Sequence, residues 1–252
     1  MATHSQASDD NQTKTFKTFP EFSKLTLADR DRYEALIKDY PPISDISFGT
    51  LMLWWNQLGS LDISLLNGNL VISYWLPGDD SRSGLSLVGT ERVDESLCTL
   101  FDYLQERGEP ARLIQVPEFV VSHMRHPELF CFEGERTLDE YVISVEKFYP
   151  LNHVISYRRH RIRKFLAAVD EAKLSVRSLD LSQSENCALL LDSVEEWPKK
   201  GTINAPSKMS EEALRAAVAD AEALGIENVC LFVGNTLHAF LLYQVPADKR
   251  YV

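Results

Sequence analysis

Asp62-Ile63-Ser64-Leu65-Leu66-Asn67-Gly68-Asn69-Leu70-Val71-Ile72-Ser73-Tyr74-Trp75-Leu76 decides the fold class. Two apolar runs, Asp62–Leu66 and Leu70–Leu76, flank Asn67-Gly68-Asn69. Asn-Gly supplies the left-handed backbone that a tight antiparallel turn needs, so the stretch reads as a β-hairpin. A second such unit lies near the end of the chain, where Asn228–Val233 and His238–Val245 flank Gly234-Asn235-Thr236. The architecture therefore contains antiparallel sheet in both halves.

Working outward, helices precede each hairpin. Thr26 caps a helix over Leu27–Tyr40, with Asp29 in its first turn, and Pro41-Pro42 stops it. Phe48–Leu58 reads as an aromatic helix containing Trp54-Trp55. After the hairpin come a strand at Leu85–Val88 and a helix at Val93–Arg107, whose Val93, Leu97, Leu100, Phe101 and Leu104 share one face. A strand at Arg112–Val116, a short helix near Pro117–Met124 and strands at Phe130–Phe132 and Tyr141–Val145 complete this half. Pro150 and Leu151-Asn152-His153 mark a joint, and a basic helix spans Val154–Ala172. Then the order restarts: a strand at Lys173–Leu179, helices at Ser184–Trp197 and Ser210–Leu224, the second hairpin, and Arg250–Val252 as the start of another strand. Strand, two helices, hairpin, strand thus occurs twice, without residue-level repetition. The mixed order predicts an α/β or α+β layered fold in two lobes. We expect a disordered tail over 1–15, a first lobe over 16–150, and the basic helix with a second lobe over 151–252.

The 252 residues carry a formal charge of −11 with 44% apolar and 25% charged residues, ordinary for a globular protein. No apolar run approaches the roughly 18 residues needed to cross a bilayer, and the N-terminus lacks the features of a secretory signal. Cys98, Cys131, Cys187 and Cys230 show no paired spacing and sit in apolar contexts, predicting reduced core cysteines and a cytoplasmic location.

Arg158-Arg159-His160-Arg161-Ile162-Arg163-Lys164 holds five fixed positive charges, leaving the remainder at −16. One cationic spot on an acidic body implies an aimed anion contact and argues against a broad nucleic-acid surface. On a helix, Ile155, Ile162, Phe165, Leu166 and Val169 share one face, predicted to pack on the body. Arg158 and Arg159 project from that side one turn earlier, while His160 and Lys164 point away and Arg161 and Arg163 flank the stripe. Cations in a helix's first turns are disfavoured by the dipole by about 0.3–1 kcal/mol each. The pair therefore calls for a counter-anion, either an internal carboxylate or a phosphate or carboxylate ligand.

Asp139-Glu140-Tyr141-Val142-Ile143 followed by Tyr157-Arg158-Arg159-His160-Arg161-Ile162-Arg163-Lys164-Phe165 resembles the middle of the phosphatidylglycerol lysyltransferase C-terminal-like family, a bacterial-type family with many members of unknown function. Phe48 with Trp54-Trp55, and Glu196-Trp197 closing a later helix, also match its pattern, so the likeness runs from Phe16 to Val252. The resemblance implies two tandem acetyltransferase-like (GNAT-like) lobes, and transfer of an aminoacyl or acyl group from an activated donor such as aminoacyl-tRNA or acyl-CoA. Such transfer needs positioning, proton removal and oxyanion stabilisation. The basic helix would hold a phosphate of a small molecule, a lipid headgroup or the tRNA acceptor end through Arg158, Arg159, His160 and Arg161. The chain departs from the pattern in three ways. Relatives of known chemistry carry a membrane-spanning portion. They continue past the equivalent of Val252, so the second lobe is expected to be incomplete. The phosphate-cradling loop of acetyl-CoA enzymes is replaced by Val88-Gly89-Thr90-Glu91-Arg92.

Other chemistries are less well supplied. His123-x-x-His126 with Cys131 lacks a fourth ligand at metal spacing, so no metal is assigned. The serine-hydrolase elbow and the P-loop are both missing. Trp54, Trp55 and Trp75 read as core or lobe-interface packing, and His153 is a candidate proton acceptor at the joint. Three hypotheses remain: an acyl- or aminoacyl-transferase-like protein with no evident bound cofactor, a non-catalytic anion- or partner-binding protein on the same scaffold, and, least favoured by charge, a nucleic-acid binder.

Overall fold

The structure is a computed structural model of the chain and describes residues 15–56, 59–78, 83–134, 156–195 and 208–245. The tail over 1–14, the Tyr141–Val145 strand, the Pro150 joint with His153, Glu196-Trp197 and Arg250–Val252 lie outside the described residues.

A short strand β1 (Ser23–Lys24) leads into a turn of 3-10 helix, Leu27–Asp29, and α1 (Arg30–Ile37). The Thr26 amide and hydroxyl both donate to the Asp29 carboxylate, at 2.9 and 2.8 Å, as the capping pattern requires. The aromatic helix is split into α2 (Phe48–Thr50), capped by Ser47 Oγ accepting from Thr50 N, and a π-helical turn over Leu51–Asn56. The hairpin forms as expected, with β2 (Ser60–Leu66) antiparallel to β3 (Asn69–Trp75). Asn67 at φ 53° and Gly68 at φ 86° make the two-residue turn that closes it. β4 (Gly84–Val88) pairs antiparallel with β3, giving a four-stranded sheet in the order β1-β2-β3-β4.

Helices cover both faces of this sheet. Leu61, Ile63, Ile72 and Tyr74 pack under α1 and α2 in one core with Leu25, Tyr33 and Phe48. Tyr33 is anchored there by donating its hydroxyl to Ile46 O at 2.7 Å. Val71, Leu85 and Leu87 point the other way, onto Val93, Leu97, Leu100 and Leu104 of α3 (Val93–Glu106). Gly108 at φ 68° ends α3, where Glu109 N donates back to Leu104 O.

Two expected strands are not formed. Arg112–Val116 makes only a single parallel bridge, Leu85 to Leu113, because Gln115 takes φ 51° and Pro117 then opens the short helix α4 (Glu118–Val121). Phe130–Phe132 follows a 3-10 turn at Pro127–Leu129; Phe130 packs against Phe101 instead of pairing.

The second half repeats the first arrangement. After α5 (Ser156–Ala168) come β5 (Leu174–Arg177), α6 (Ser184–Glu195), and the helix expected at Ser210–Leu224, which breaks at Asp220 into α7 (Lys208–Ala219) and α8 (Ala221–Leu224). The hairpin β6 (Ile226–Val233) and β7 (Thr236–Gln244) completes an antiparallel sheet in the order β5-β6-β7. Cys230 and Phe232 face Leu190 of α6 and Val218 of α7. The two halves meet where Leu224 and Ile226 join the core of the first sheet. There the Gln244 side chain accepts from Ser47 Oγ at 3.2 Å and donates to Leu224 O at 2.6 Å. Arg30 donates to Glu222 O at the C-terminal end of α8, where a helix dipole favours a cation. The chain is thus α+β, with two antiparallel sheets and helices packed on them. Among the described residues, no helix is long and apolar enough to cross a membrane.

Candidate functional site

α5 carries the basic run, and its phase is partly as expected. Arg159, Phe165, Leu166 and Val169 are half-buried and lie on one side. Three details correct the sequence reading. Arg158 is exposed rather than inward, Ile162 is 37% exposed, and no described residue of α5 is fully buried. Docking is shallow among the described residues: Phe165 meets His238 of β7 edge-on at 6.3 Å between ring centres, and Leu166 and Val169 stay half-buried. Of the expected inward pair, Arg159 alone lies against the body.

Among the described residues, Arg159, His160, Arg163 and Lys164 form no ion pair with a carboxylate. Arg161 lies against Tyr157, its guanidinium 5.6 Å from the ring centre and donating to the hydroxyl at 3.4 Å. Tyr157 is itself 65% exposed, so this pairing holds the guanidinium over an aromatic face at the surface. Arg163 follows half-buried Arg159 by one helical turn, and two guanidinium groups so placed can hold a phosphate or carboxylate with little rearrangement.

A second cluster was only partly visible in the sequence. Thr90, Arg92, Asp94, Glu95, His123, Arg125 and His126 line a cleft of about 200 Å³ at the N-terminal end of α3. The loop Val88-Gly89-Thr90-Glu91-Arg92, which leads from β4 into α3, contributes Thr90 and Arg92 to the cleft, and its backbone is held from within the protein. The Asn69 side chain closes the loop, donating to Glu91 O and accepting from Glu91 N. A Cβ at Gly89 would collide with that side chain. Asp94 then supplies the anion itself, accepting from Arg125 N at 3.0 Å and His126 N at 3.1 Å. These backbone donors, Arg125 N foremost, hold the Asp94 carboxyl below its usual range. Arg92 is turned away onto Glu95.

His123 and His126 both reach this cleft, but each has a local partner: His123 Nδ1 lies 2.7 Å from Phe119 O, and His126 Nδ1 lies 3.1 Å from Glu128. The described residues contain no group of three or more metal-ligating side chains. Cys131 is exposed, as is Cys98 on the outer side of α3, and Cys187 is half-buried, so of the four cysteines read as core only Cys230 is buried. Trp54 and Trp75 are 39% and 53% exposed rather than packed. Trp75 follows the buried Tyr74 on β3 and so points to the opposite face.

No family model matches the chain, and no curated protein matches it. A solved structure does: the crystal structure of a conserved protein of unknown function from Bacteroides thetaiotaomicron VPI-5482, with a TM-score of 0.67 and 20% sequence identity, covering 88% of this chain and 74% of that one. The likeness is one of fold.

Proposed function

We propose that the protein is acyl- or aminoacyl-transferase-like, built from two GNAT-like halves, and that α5 holds a phosphate-bearing substrate between them. The observation that carries this reading is the set of cations on α5 with no carboxylate partner among the described residues, in a chain of net charge −11. The repeated strand, helices and hairpin, with the same antiparallel pairing order in both halves, supports the tandem architecture. Arg159, half-buried, fixes the anion's position; Arg161, steadied by Tyr157, and His160 and Arg163 complete the field around it. Catalysis would come from orientation of an activated ester and stabilisation of its oxyanion, without a covalent intermediate.

A second reading keeps the anion site and drops the chemistry. It is favoured by the α3 cleft, where Asp94 and the Asn69 clamp occupy the place a donor phosphate would take in the first half.

The test uses thermal shift of the protein with inorganic phosphate, glycerol phosphate, acyl-CoA and aminoacyl-tRNA. Stabilisation by phosphate-bearing ligands that is lost in Arg159→Ala supports the anion site; stabilisation unchanged by that substitution, or none at all, sinks it. Donor deacylation in the presence of an amine- or hydroxyl-bearing acceptor, dependent on Arg159, separates the transferase from the binding protein.

A further inference from the structure

β7 carries one residue more than its pairing with β6 requires. Ala239 faces Leu231 and Leu237 faces Phe232, so one step along β6 matches two along β7. His238 is the extra residue. Side chains alternate between the two faces of a strand, and a bulge takes one of them out of that alternation and re-aims it. Leu237 and Phe240 pack against the core of the second half. His238 instead stays exposed and meets the ring of Phe165 on α5. The ring contact leaves the polar part of the side chain unused. Among the described residues, His238 forms no hydrogen bond and no ion pair. Neutral or charged, an imidazole keeps at least one N–H to donate.

The phase of α5 places a second donor opposite this one. At 3.6 residues per turn, Arg159 and Phe165 lie roughly 60° to either side of Ile162. Arg159 and Phe165 are both half-buried, yet Ile162 between them is 37% exposed. The strip of α5 between these two flanks is therefore open to solvent. The Arg159 guanidinium stands on one flank and the Phe165–His238 contact on the other. Side chains on a helix lean toward its N-terminus, which carries the Phe165 ring, and His238 with it, back toward the turn that holds Ile162. Along and across the hairpin, the side chains next to His238 are those of Leu237, Ala239, Leu231 and Phe232. None of them is charged, so none supplies the carboxylate that a histidine or arginine there would otherwise take.

We propose that His238 binds the same anion as Arg159, from the opposite side of Ile162, and that the pair selects a phosphate monoester. A guanidinium takes two phosphate oxygens side by side. A monoester has a third terminal oxygen, which faces away from the guanidinium and accepts from the His238 N–H. A diester or a carboxylate has only two such oxygens, and Arg159 occupies both. The assignment deepens the anion reading of α5 and rests on it: it adds a ligand from β7 and narrows the substrate to one that carries a terminal phosphate.

The test is isothermal titration calorimetry of the protein with glycerol 3-phosphate, a monoester, and dimethyl phosphate, a diester. The wild type is expected to bind the monoester more tightly by about tenfold or more. His238→Phe keeps a ring against Phe165 but has no N–H. It is expected to weaken monoester binding by about tenfold, to leave diester binding unchanged, and to keep the melting temperature of the unliganded protein. His238→Gln retains an N–H donor and is expected to recover most of the loss. Full monoester affinity in His238→Phe, together with its loss in Arg159→Ala, overturns the proposal and leaves the anion reading of α5 standing. Equal losses for the two probes in His238→Phe also overturn it, because no third oxygen is then being read. Binding of neither probe by the wild type overturns both. A check that needs no variant is the imidazole signal of His238 in the NMR spectrum of the wild type: it should shift with the monoester, and a signal that stays in place at saturation overturns the assignment.

Discussion

Asn69 holds together a loop that its position in the sequence does not advertise. It closes the first hairpin as the partner of Leu66, and the same buried side chain ties both backbone groups of Glu91. Replacing it with Ala leaves a donor and an acceptor without partners beside a sealed core. At about 1–3 kcal/mol per unsatisfied buried group, Asn69→Ala is expected to lower unfolding stability by about 2–4 kcal/mol in urea titration. A loss under 1 kcal/mol would mean that water replaces the amide. Asp94 makes a pH-dependent contribution. Its carboxyl is held below the ordinary value of 3.8, chiefly by Arg125 N. A depressed carboxyl stabilises the fold above its unfolded pKa and loses that contribution as pH falls through the folded one. The wild-type melting temperature should therefore exceed that of Asp94→Ala at neutral pH, and the gap should close below about pH 3.8; a gap independent of pH would assign Asp94 a packing role. Neither residue was legible as a site. Asn69 reads as part of a turn and Asp94 as an ordinary first-turn acid, because the partners that give them their roles lie 22 and 31 residues away. The histidines of the same cleft were visible as a pair, but only the fold shows that each is already partnered.

Elements whose signals are local were the ones the sequence disclosed. Both hairpins form at their Asn-Gly and Gly-Asn turns, and α3 buries the stripe read from its periodicity. Elements that depend on distant packing departed from expectation. The aromatic helix takes a π-helical turn where α2 approaches the second half, and Phe130 finds a ring partner instead of a strand. α5 shows the limit of helical phase: periodicity gives the side that faces inward, not the depth of the surface waiting there. The junction of the halves rests on Gly49, over which the Gln244 side chain lies so closely that a Cβ would collide with it. Gln244→Ala removes hydrogen bonds to Ser47 and Leu224 and is expected to cost about 1–3 kcal/mol. Gly49→Ala overpacks the same point and should cost a similar amount, about 1–3 kcal/mol. Because the two share one contact, the double variant should be more stable than the sum of the single effects predicts, by at least 0.5 kcal/mol in a double-mutant cycle. Strict additivity would show that Gln244 moves aside without loss.

Charge is a property of the whole molecule, and it constrains how α5 can work. The basic run sits on a body whose remaining residues sum to −16. At an ionic strength of about 0.01 M the Debye length is about 30 Å, long enough for that negative field to reach a ligand at α5. At about 0.15 M it shrinks to about 8 Å, so the ligand feels the nearby arginines and little else. At higher salt still, the local attraction is screened too. Affinity for a multiply charged phosphate ligand is therefore expected to pass through a maximum as salt rises. A basic surface tracking a polyanion would instead lose affinity steadily, as released counterions dictate. Fluorescence titration of a phosphate-bearing ligand across this salt range separates the two. A steep monotonic fall would mean that α5 belongs to a wider cationic surface, built with residues beyond those described. A maximum that disappears in Arg159→Ala would assign the anion contact to the half-buried arginine of α5. The sequence supplied the charge contrast on which this prediction stands; the fold supplied the depth of Arg159, which selects it from the run.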